Sequence, residues 1–221
     1  MYYSAVCPSP LGMLTLGSDG EHLIGLWLEG QKYFGGAVRE ALEERDGLPV
    51  FDAARDWLAR YFAGEKPMPS ELPLCPIGGE FRQRVWRLLC QIPYGETTTY
   101  GARARALAAQ MGRPSMSSQA VGGAVGHNPI SIIIPCHRVV GSGGSLTGYA
   151  GGIAAKLRLL EHEGVELSRL SVQEGHGALS HGSLTLSADA GRPQPPISSP
   201  GLGGLPGCRR TGAGIEQTSR S

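Results

Sequence analysis

The sequence predicts an α/β protein with a small N-terminal α/β domain and a mainly helical C-terminal domain. Three observations support this fold class. Short apolar segments separated by turn residues open the 221-residue chain, and amphipathic helical patterns follow them. A stiff stretch with four prolines, at residues 66–76, separates the two halves. We therefore expect domains over residues 1–73 and 74–169, followed by a tail over residues 170–221.

The N-terminal domain is predicted to start with a β-meander. Residues 2–7, 13–16 and 23–28 have the aromatic and aliphatic composition of strands, with turn residues between them. Residues 36–46 have the pattern of a helix. A second helix follows and ends at Gly64. The apolar face of this second helix consists of Phe51, Ala54, Leu58, Tyr61 and Phe62.

The C-terminal domain is predicted to contain two helices joined by a short turn. Thr99 can cap a helix over residues 100–111, and Ser117 or Ser118 can cap a second one over 119–125. Such a pair resembles a helix-turn-helix, although many helical hairpins bind nothing. An amphipathic helix precedes the pair, with an apolar face made of Phe81, Val85, Leu88, Leu89 and Ile92.

Two further elements complete the predicted C-terminal domain. Residues 130–134 form a continuous apolar run that ends at Pro135, which indicates a short buried strand. Residues 154–162 have a helical pattern, and Gly164 is the expected C-cap. Residues 170–221 contain 10 Gly, 8 Ser and 5 Pro and no aromatic residue, a composition typical of disorder.

Composition also bears on the compartment of the protein and on whether it binds a metal. No apolar run approaches the ~18 residues that span a bilayer, and the N-terminus lacks the pattern of a signal peptide. The five cysteines are odd in number and scattered, which argues against a disulfide framework and favours a cytoplasmic protein. No cysteine pair has zinc-site spacing, and Cys7 with His22 lacks further evident ligands, so we expect no metal and no cofactor.

Charge is distributed unevenly along the chain. Residues 1–79 carry 6 basic and 11 acidic side chains, whereas residues 80–169 carry 10 basic and 5 acidic ones. A basic second half is typical of proteins that bind a polyanion such as nucleic acid, although ordinary variation in surface charge gives the same pattern.

The residues with the clearest chemical potential are Cys136 and His137, directly after the apolar run. A cysteine beside a histidine can form a reactive thiolate. A lone buried cysteine is more often a small packing residue, and adjacent side chains on a strand point apart. The pair alone therefore leaves both interpretations open.

The sequence around this pair decides between them. Residues 128–140, NPISIIIPCHRVV, closely resemble the active-site signature of the O6-alkylguanine-DNA alkyltransferases. Further matches in register lie at residues 81–86, 92–95, 100–101, 120–124, 146–152, 156 and 162–164. The resemblance is strong from about residue 74 to 167 and looser over 1–73. It implies a ribonuclease H-like N-terminal domain and a winged helix-turn-helix-like catalytic domain.

The resemblance implies roles for the residues of the catalytic centre. Cys136 corresponds to the cysteine that accepts the alkyl group, and His137 to a base that acts through a bound water. Glu163 would orient the imidazole, Tyr149 would donate to guanine O6, and Asn128 would bridge the turn to the recognition helix. The resemblance places Val139, Ala150 and Lys156 in the substrate pocket, where Ala150 replaces a serine found in many members.

The family binds the minor groove of double-stranded DNA and flips the target base out of the duplex. The residues that this resemblance assigns to DNA binding are Tyr100, Ser117, Ser118, Gln119, Ala120, Gly122, Gly123 and Arg138. Tyr100 matches a residue that turns the target phosphate. Gln119 stands where many members have an arginine that fills the gap left by the flipped base.

The implied function is repair of O6-alkylguanine, and more weakly of O4-methylthymine, by single-turnover transfer to Cys136. We expect a cytoplasmic monomer. One alternative is a module that only binds lesions, but such proteins lack the cysteine. A second alternative is a cysteine hydrolase, which would turn over repeatedly.

Overall fold

The structure, a computed structural model, describes residues 1–146 and 148–171. It confirms the predicted α/β class, with a sheet in the N-terminal part and helices in the C-terminal part. Nearly all of the predicted tail over 170–221 lies outside the described residues. No helix in the described part of the chain is long and apolar enough to cross a membrane.

The N-terminal sheet has the strand order β3-β2-β1-β4. Strands β1 (Tyr2–Ser9), β2 (Gly12–Ser18) and β3 (Leu23–Leu28) form the predicted antiparallel meander, while β4 (Leu42–Glu44) pairs with β1 in parallel. Every residue of β3 is buried. Helix α1 (Pro49–Phe62) starts with a proline, as helices tolerate, and buries an apolar face against β2 and β3.

The helix predicted over residues 36–46 is wrong. Gly35 and Gly36 have φ angles of 79° and 59°, outside the right-handed helical region, and the chain then turns into β4. Pairing of Leu42 with Tyr2 in the sheet outweighs the local helical preference of this segment.

The described residues of the C-terminal part contain four α-helices: α2 (Glu80–Leu89), α3 (Tyr100–Gln110), α4 (Ser118–Gly126) and α5 (Ile153–His162). The predicted caps of the central pair are confirmed. Thr99 Oγ1 accepts a hydrogen bond from the Ala102 amide at 3.1 Å, and Ser117 Oγ accepts one from the Ala120 amide at 3.3 Å. Strands β5 (Thr98–Thr99) and β6 (Val139–Val140) pair in parallel beside these helices.

The outer edge of β3 is covered by two later segments of the chain. The Leu23 amide donates to Pro73 O at 2.8 Å, and the Leu26 amide donates to Pro129 O at 2.9 Å. The Ser131 amide donates back to Leu26 O at 2.9 Å. The two bonds of Leu26 attach the N-terminal sheet to the segment that leads to Cys136.

The cysteines differ in state. Cys7, Cys90 and Cys136 are free thiols. Cys75 is disulfide-bonded, which does not contradict the expectation that the chain lacks a disulfide framework, because the other described cysteines are free. Spacing along the sequence does not reveal which cysteines meet in space.

Candidate active site

The apolar run over residues 130–134 forms tight turns rather than the predicted strand. The Ile133 amide donates to Ser131 O at 2.8 Å, which closes a γ-turn around Ile132. Ile132 has a φ angle of 68°, a strained conformation for a β-branched residue, and is buried. Packing of the isoleucine side chains in the core holds the backbone in this turn.

A second γ-turn places Cys136. Pro135 has φ −80° and ψ 63°, and the Cys136 amide donates to Ile134 O at 2.7 Å, the pattern of an inverse γ-turn. A short 3₁₀ helix then runs over Cys136–Arg138. Because the backbone turns here, Cys136 and His137 do not alternate as they would on a strand, and both side chains are buried.

Asn128 holds this segment together from within. Its Nδ2 donates to Ile134 O at 2.8 Å, to Ile130 O at 3.2 Å and to Cys136 Sγ at 3.0 Å. Its Oδ1 accepts from the Ile130 amide at 3.1 Å. The side chain is buried, so it satisfies backbone groups that water does not reach.

The Cys136 thiol has opposing influences on its ionisation. Burial raises the pKa of the thiol, because a thiolate is poorly solvated inside the protein. The hydrogen bond from Asn128 and the positive charge of Lys156 act in the opposite direction. To act as a nucleophile, the thiol would therefore need a base to remove its proton.

His137 is the base candidate beside it. Its Nε2 lies 2.7 Å from Glu163 Oε1 and therefore carries the proton, since a carboxylate only accepts. Its Nδ1 has no hydrogen-bond partner among the described residues. Burial lowers the pKa of His137, which keeps the imidazole neutral and Nδ1 able to accept a proton.

Glu163 accepts five hydrogen bonds although its side chain is fully buried. Oε1 accepts from Tyr61 Oη at 2.8 Å, His137 Nε2 at 2.7 Å and Arg138 Nη2 at 2.9 Å. Oε2 accepts from Arg138 Nε at 2.8 Å and the Gly95 amide at 3.2 Å. Burial would raise the pKa of Glu163, but His137 and Arg138 outweigh it and lower the pKa to about 2.

The structure places Arg138, which was expected to bind DNA, largely inside the protein. Its guanidinium is directed into the protein, where it forms the two bonds to Glu163 and donates to Ile92 O at 2.6 Å. A buried carboxylate needs a paired cation, and this pairing keeps Arg138 away from the surface.

Three further predicted residues lie around the thiol. Lys156 is buried and donates to Val139 O at 2.6 Å, and burial lowers the pKa of its ammonium to about 8. Burial and the neighbouring Cys136 raise the pKa of Tyr149 well above its usual range, so its hydroxyl is neutral. The same two causes raise the pKa of Tyr100 to about 12.

Helix α4 has an exposed face next to this centre. Ser117, Ser118, Gln119, Ala120 and Gly123 are exposed, and Gly122 is half-buried. A Cβ atom added at Gly122 would lie 3.6 Å from the Tyr100 ring, so the helix passes close to a tyrosine that itself adjoins Cys136. A smooth helix face of small residues permits close approach of a bulky ligand.

Two family models match the chain over most of the described residues. One is described as 6-O-methylguanine DNA methyltransferase, ribonuclease-like domain, and matches residues 1–76. The other is described as 6-O-methylguanine DNA methyltransferase, DNA binding domain, and matches residues 80–165. The chain belongs to the 6-O-methylguanine DNA methyltransferase family.

Relatives of this methyltransferase family cover the same region. A methylated-DNA–protein-cysteine methyltransferase of Haemophilus influenzae is 45% identical over 163 residues, which are 74% of this chain and 86% of the relative. The crystal structure of the Mycobacterium tuberculosis O6-methylguanine methyltransferase has a TM-score of 0.62 and 45% identity, covering 74% of this chain and 93% of that one. A second structure from M. tuberculosis is a complex with DNA, with a TM-score of 0.61, 44% identity and coverage of 76% and 94%.

Some residues of the methyltransferase site were not found from the sequence. Tyr61 was placed only on the apolar face of a helix, yet its hydroxyl reaches Glu163. Gln31, from the loop after β3, accepts a hydrogen bond from Ser131 Oγ at 3.0 Å and supports the turn before Cys136. Each pair is about 100 residues apart in sequence, and no local pattern signals such contacts.

No group of three or more His, Cys, Asp or Glu side chains that could hold a metal ion occurs among the described residues of this methyltransferase. The expectation that the protein needs no metal and no cofactor stays a prediction.

We expect Asn128→Ala to destabilise the methyltransferase by about 3 kcal/mol, because it leaves buried amide and carbonyl groups without partners. The rate of alkyl uptake should fall as well, since the turn before Cys136 loosens. Thermal unfolding and single-turnover kinetics measure both effects. Gln110→Ala, which removes an exposed amide on α3, is the control and should change neither. Unchanged stability of Asn128→Ala would contradict this reading of the turn.

Proposed function

We propose that this protein repairs O6-alkylguanine in DNA by moving the alkyl group to Sγ of Cys136. Direct-reversal repair by alkyl transfer from DNA to a protein cysteine is the activity of the methylated-DNA–protein-cysteine methyltransferases to which the chain is related. The single observation that carries the assignment of the acceptor is the buried Cys136 thiol beside the His137–Glu163 pair.

In the proposed reaction, Cys136 Sγ attacks the alkyl carbon while the bond from that carbon to guanine O6 breaks. His137 Nδ1 takes the thiol proton through a bound water, and Glu163 stabilises the imidazolium that forms. The guanine anion takes up a proton from solvent while the imidazolium of His137 releases the proton that came from the thiol, so charge and atoms balance. Tyr149 supports departure by donating its hydroxyl proton in a hydrogen bond to O6, since its raised pKa keeps it protonated.

The product explains why each protein molecule acts once. A thioether carbon is not released by water under mild conditions, so the alkyl group stays on the sulfur. The sulfur that accepts the alkyl group is consumed. Transfer is therefore expected to be stoichiometric, which distinguishes it from a cysteine hydrolase.

The proposed DNA-binding face is the exposed side of α4 together with Tyr100. Small side chains at Ala120, Gly122 and Gly123 allow the helix to lie close to the duplex. The target base must leave the stack to reach Cys136, which is buried. We further propose that the protein acts as a monomer in the cytoplasm, with domain boundaries near residues 73 and 169.

Gln119 is the proposed residue that fills the gap left by the flipped base. We expect Gln119→Arg to tighten DNA binding and to steepen its salt dependence by about one unit of slope, because an added cation contacts phosphate. We expect Gln119→Ala to slow repair of duplex DNA but not the reaction with free O6-benzylguanine, which needs no flipping. Salt titrations of binding and single-turnover rates on both substrates measure these effects. Equal slowing on both substrates would show that Gln119 supports the pocket instead.

Intact-mass analysis after incubation with DNA that contains O6-methylguanine tests the function itself. The expected result is a gain of one methyl group per protein molecule, located on Cys136 by peptide mapping. A protein that binds this DNA but gains no methyl group would instead be a lesion-binding module. Modification of Cys7, Cys75, Cys90 or Cys208 would contradict the assignment of the acceptor.

A further inference from the structure

The Glu163 carboxylate accepts one hydrogen bond from the N-terminal part of the chain. Tyr61 lies on α1 of the N-terminal part, 102 residues before Glu163, and donates its hydroxyl to Glu163 Oε1 at 2.8 Å. The other donors to this carboxylate, His137, Arg138 and the Gly95 amide, come from the C-terminal part.

The packing contacts of the Tyr61 ring do not depend on its hydroxyl. It stacks on Trp57 at 5.5 Å and meets Phe62 edge-on at 5.1 Å, contacts that a phenylalanine would make equally. The backbone of Tyr61 is also fixed, because His162 Nε2 donates to Tyr61 O at 2.8 Å. The hydroxyl is therefore the feature of this residue that apolar packing leaves unexplained.

We propose that Tyr61 is a positioning residue for alkyl transfer, whose hydroxyl fixes Glu163 Oε1 and thereby sets the orientation and basicity of His137. This inference rests on the proposed function. It gives the N-terminal domain a direct part in the chemistry, beyond covering the catalytic domain.

The physical reason is that several hydrogen-bond donors share one oxygen, Oε1 of Glu163. Oε1 accepts from Tyr61, His137 and Arg138, so its negative charge is divided among three donors. Without the hydroxyl, a larger share of this charge acts on the imidazole and favours the imidazolium. His137 would then be protonated at a higher pH and would be lost as a base earlier on acidification. The carboxylate would also be held less firmly.

Other charged and titratable groups face the same pair. Arg138 binds Glu163 from the 3₁₀ helix, and Lys156 acts on His137 from α5. Tyr94, after α2, faces Glu163, and Cys136 adjoins Lys156. All four residues are kept in Tyr61→Phe, so the comparison with the wild type tests the hydroxyl.

The test compares Tyr61→Phe with the wild type in the full-length protein. The rate of reaction with free O6-benzylguanine is measured from pH 5 to pH 9, because this substrate needs no DNA. We expect Tyr61→Phe to react about tenfold more slowly at the acidic end of the profile and about twofold more slowly at pH 8. The acid limb should move to higher pH.

Tyr94→Phe is the matched control. It also removes a hydroxyl near the site, one that donates to His162 O at 3.1 Å rather than to the carboxylate. This variant is expected to keep the wild-type pH profile, whatever its melting temperature. A Tyr61→Phe profile that coincides with that of the wild type would overturn the proposal. Wild-type protein without any alkyl uptake would overturn the proposed function and this inference with it.

Replacement of Tyr61 by a fluorotyrosine tests the same idea without removing the ring or the hydroxyl. A more acidic phenol is a stronger donor to Oε1, so the acid limb should move to lower pH, opposite to Tyr61→Phe. A shift in the same direction for both variants, or none for the fluorotyrosine, would show that Tyr61 is only a packing residue. This arm remains decisive if Tyr61→Phe fails to fold.

Discussion

Cys136→Ser is expected to bind DNA about as tightly as the wild type and to take up no alkyl group. A serine hydroxyl is far less acidic than a thiol and a much weaker nucleophile, so the rate should fall by at least about 10³-fold. The substitution removes no contact on the exposed face of α4, where we place the DNA. Binding titrations and intact-mass analysis with DNA containing O6-methylguanine separate the two properties.

Cys7→Ser provides the control for this experiment. Cys7 and Cys136 are free thiols that are each 6% exposed, but Cys7 lies in β1 of the N-terminal sheet. Cys7→Ser should still gain one methyl group. Residual stoichiometric uptake by Cys136→Ser would place the acceptor elsewhere and defeat the mechanism.

Glu163→Gln is expected to lower both stability and activity. The buried guanidinium of Arg138 would lose its anionic partner, a loss of about 3–5 kcal/mol in the free energy of unfolding. Alkyl transfer should also slow, since the imidazolium of His137 would form beside a neutral amide. Glu161→Gln, on the exposed face of α5, is the control and should leave both properties unchanged.

The same carboxylate predicts how stability depends on pH. The pKa of Glu163 is about 2 in the folded protein and 4.5 in its unperturbed state, so its contribution is complete above pH 4.5 and is lost as the pH falls towards 2. The difference corresponds to about 3 kcal/mol. Denaturant unfolding of the wild type between pH 5 and pH 2 should show this loss, and Glu163→Gln should show a smaller one. An equal acid dependence in both proteins would contradict the assignment.

Local patterns in the sequence were sufficient for the elements that local forces determine. The meander, the helices α1 to α5 and the caps at Thr99 and Ser117 follow from turn residues, apolar spacing and side-chain hydrogen bonding. The helix expected over residues 36–46 failed because a strand pairing with β1 competes with it. The strand expected over 130–134 failed because Asn128 and two γ-turns hold an apolar run in a bent conformation.

The site was predictable where the residues lie within one short segment. Cys136, His137 and Asn128 are close in sequence, and their register in the resemblance indicated their roles. Arg138 belongs to the same segment, but nothing in its neighbours reveals that its side chain is directed inward to Glu163. Tyr61 was named only as an apolar residue, because a contact over 102 residues depends on how the two halves pack.

The outer edge of β3 is covered by a segment that the ribosome makes much later than the strand, and this order has a consequence for synthesis of the chain. Every residue of β3 is buried in the finished protein. The outer edge of the strand pairs with a segment near Ser131, and Ser131 lies 100 residues after Gln31, which is in the loop after β3. At roughly 5–20 residues per second, that cover follows the strand by about 5–20 seconds. During this interval the nascent chain presents an open apolar edge, the type of surface that pairs with other chains. Fragments that end before residue 129 are therefore expected to aggregate, and expression should depend on how quickly the ribosome traverses the intervening codons.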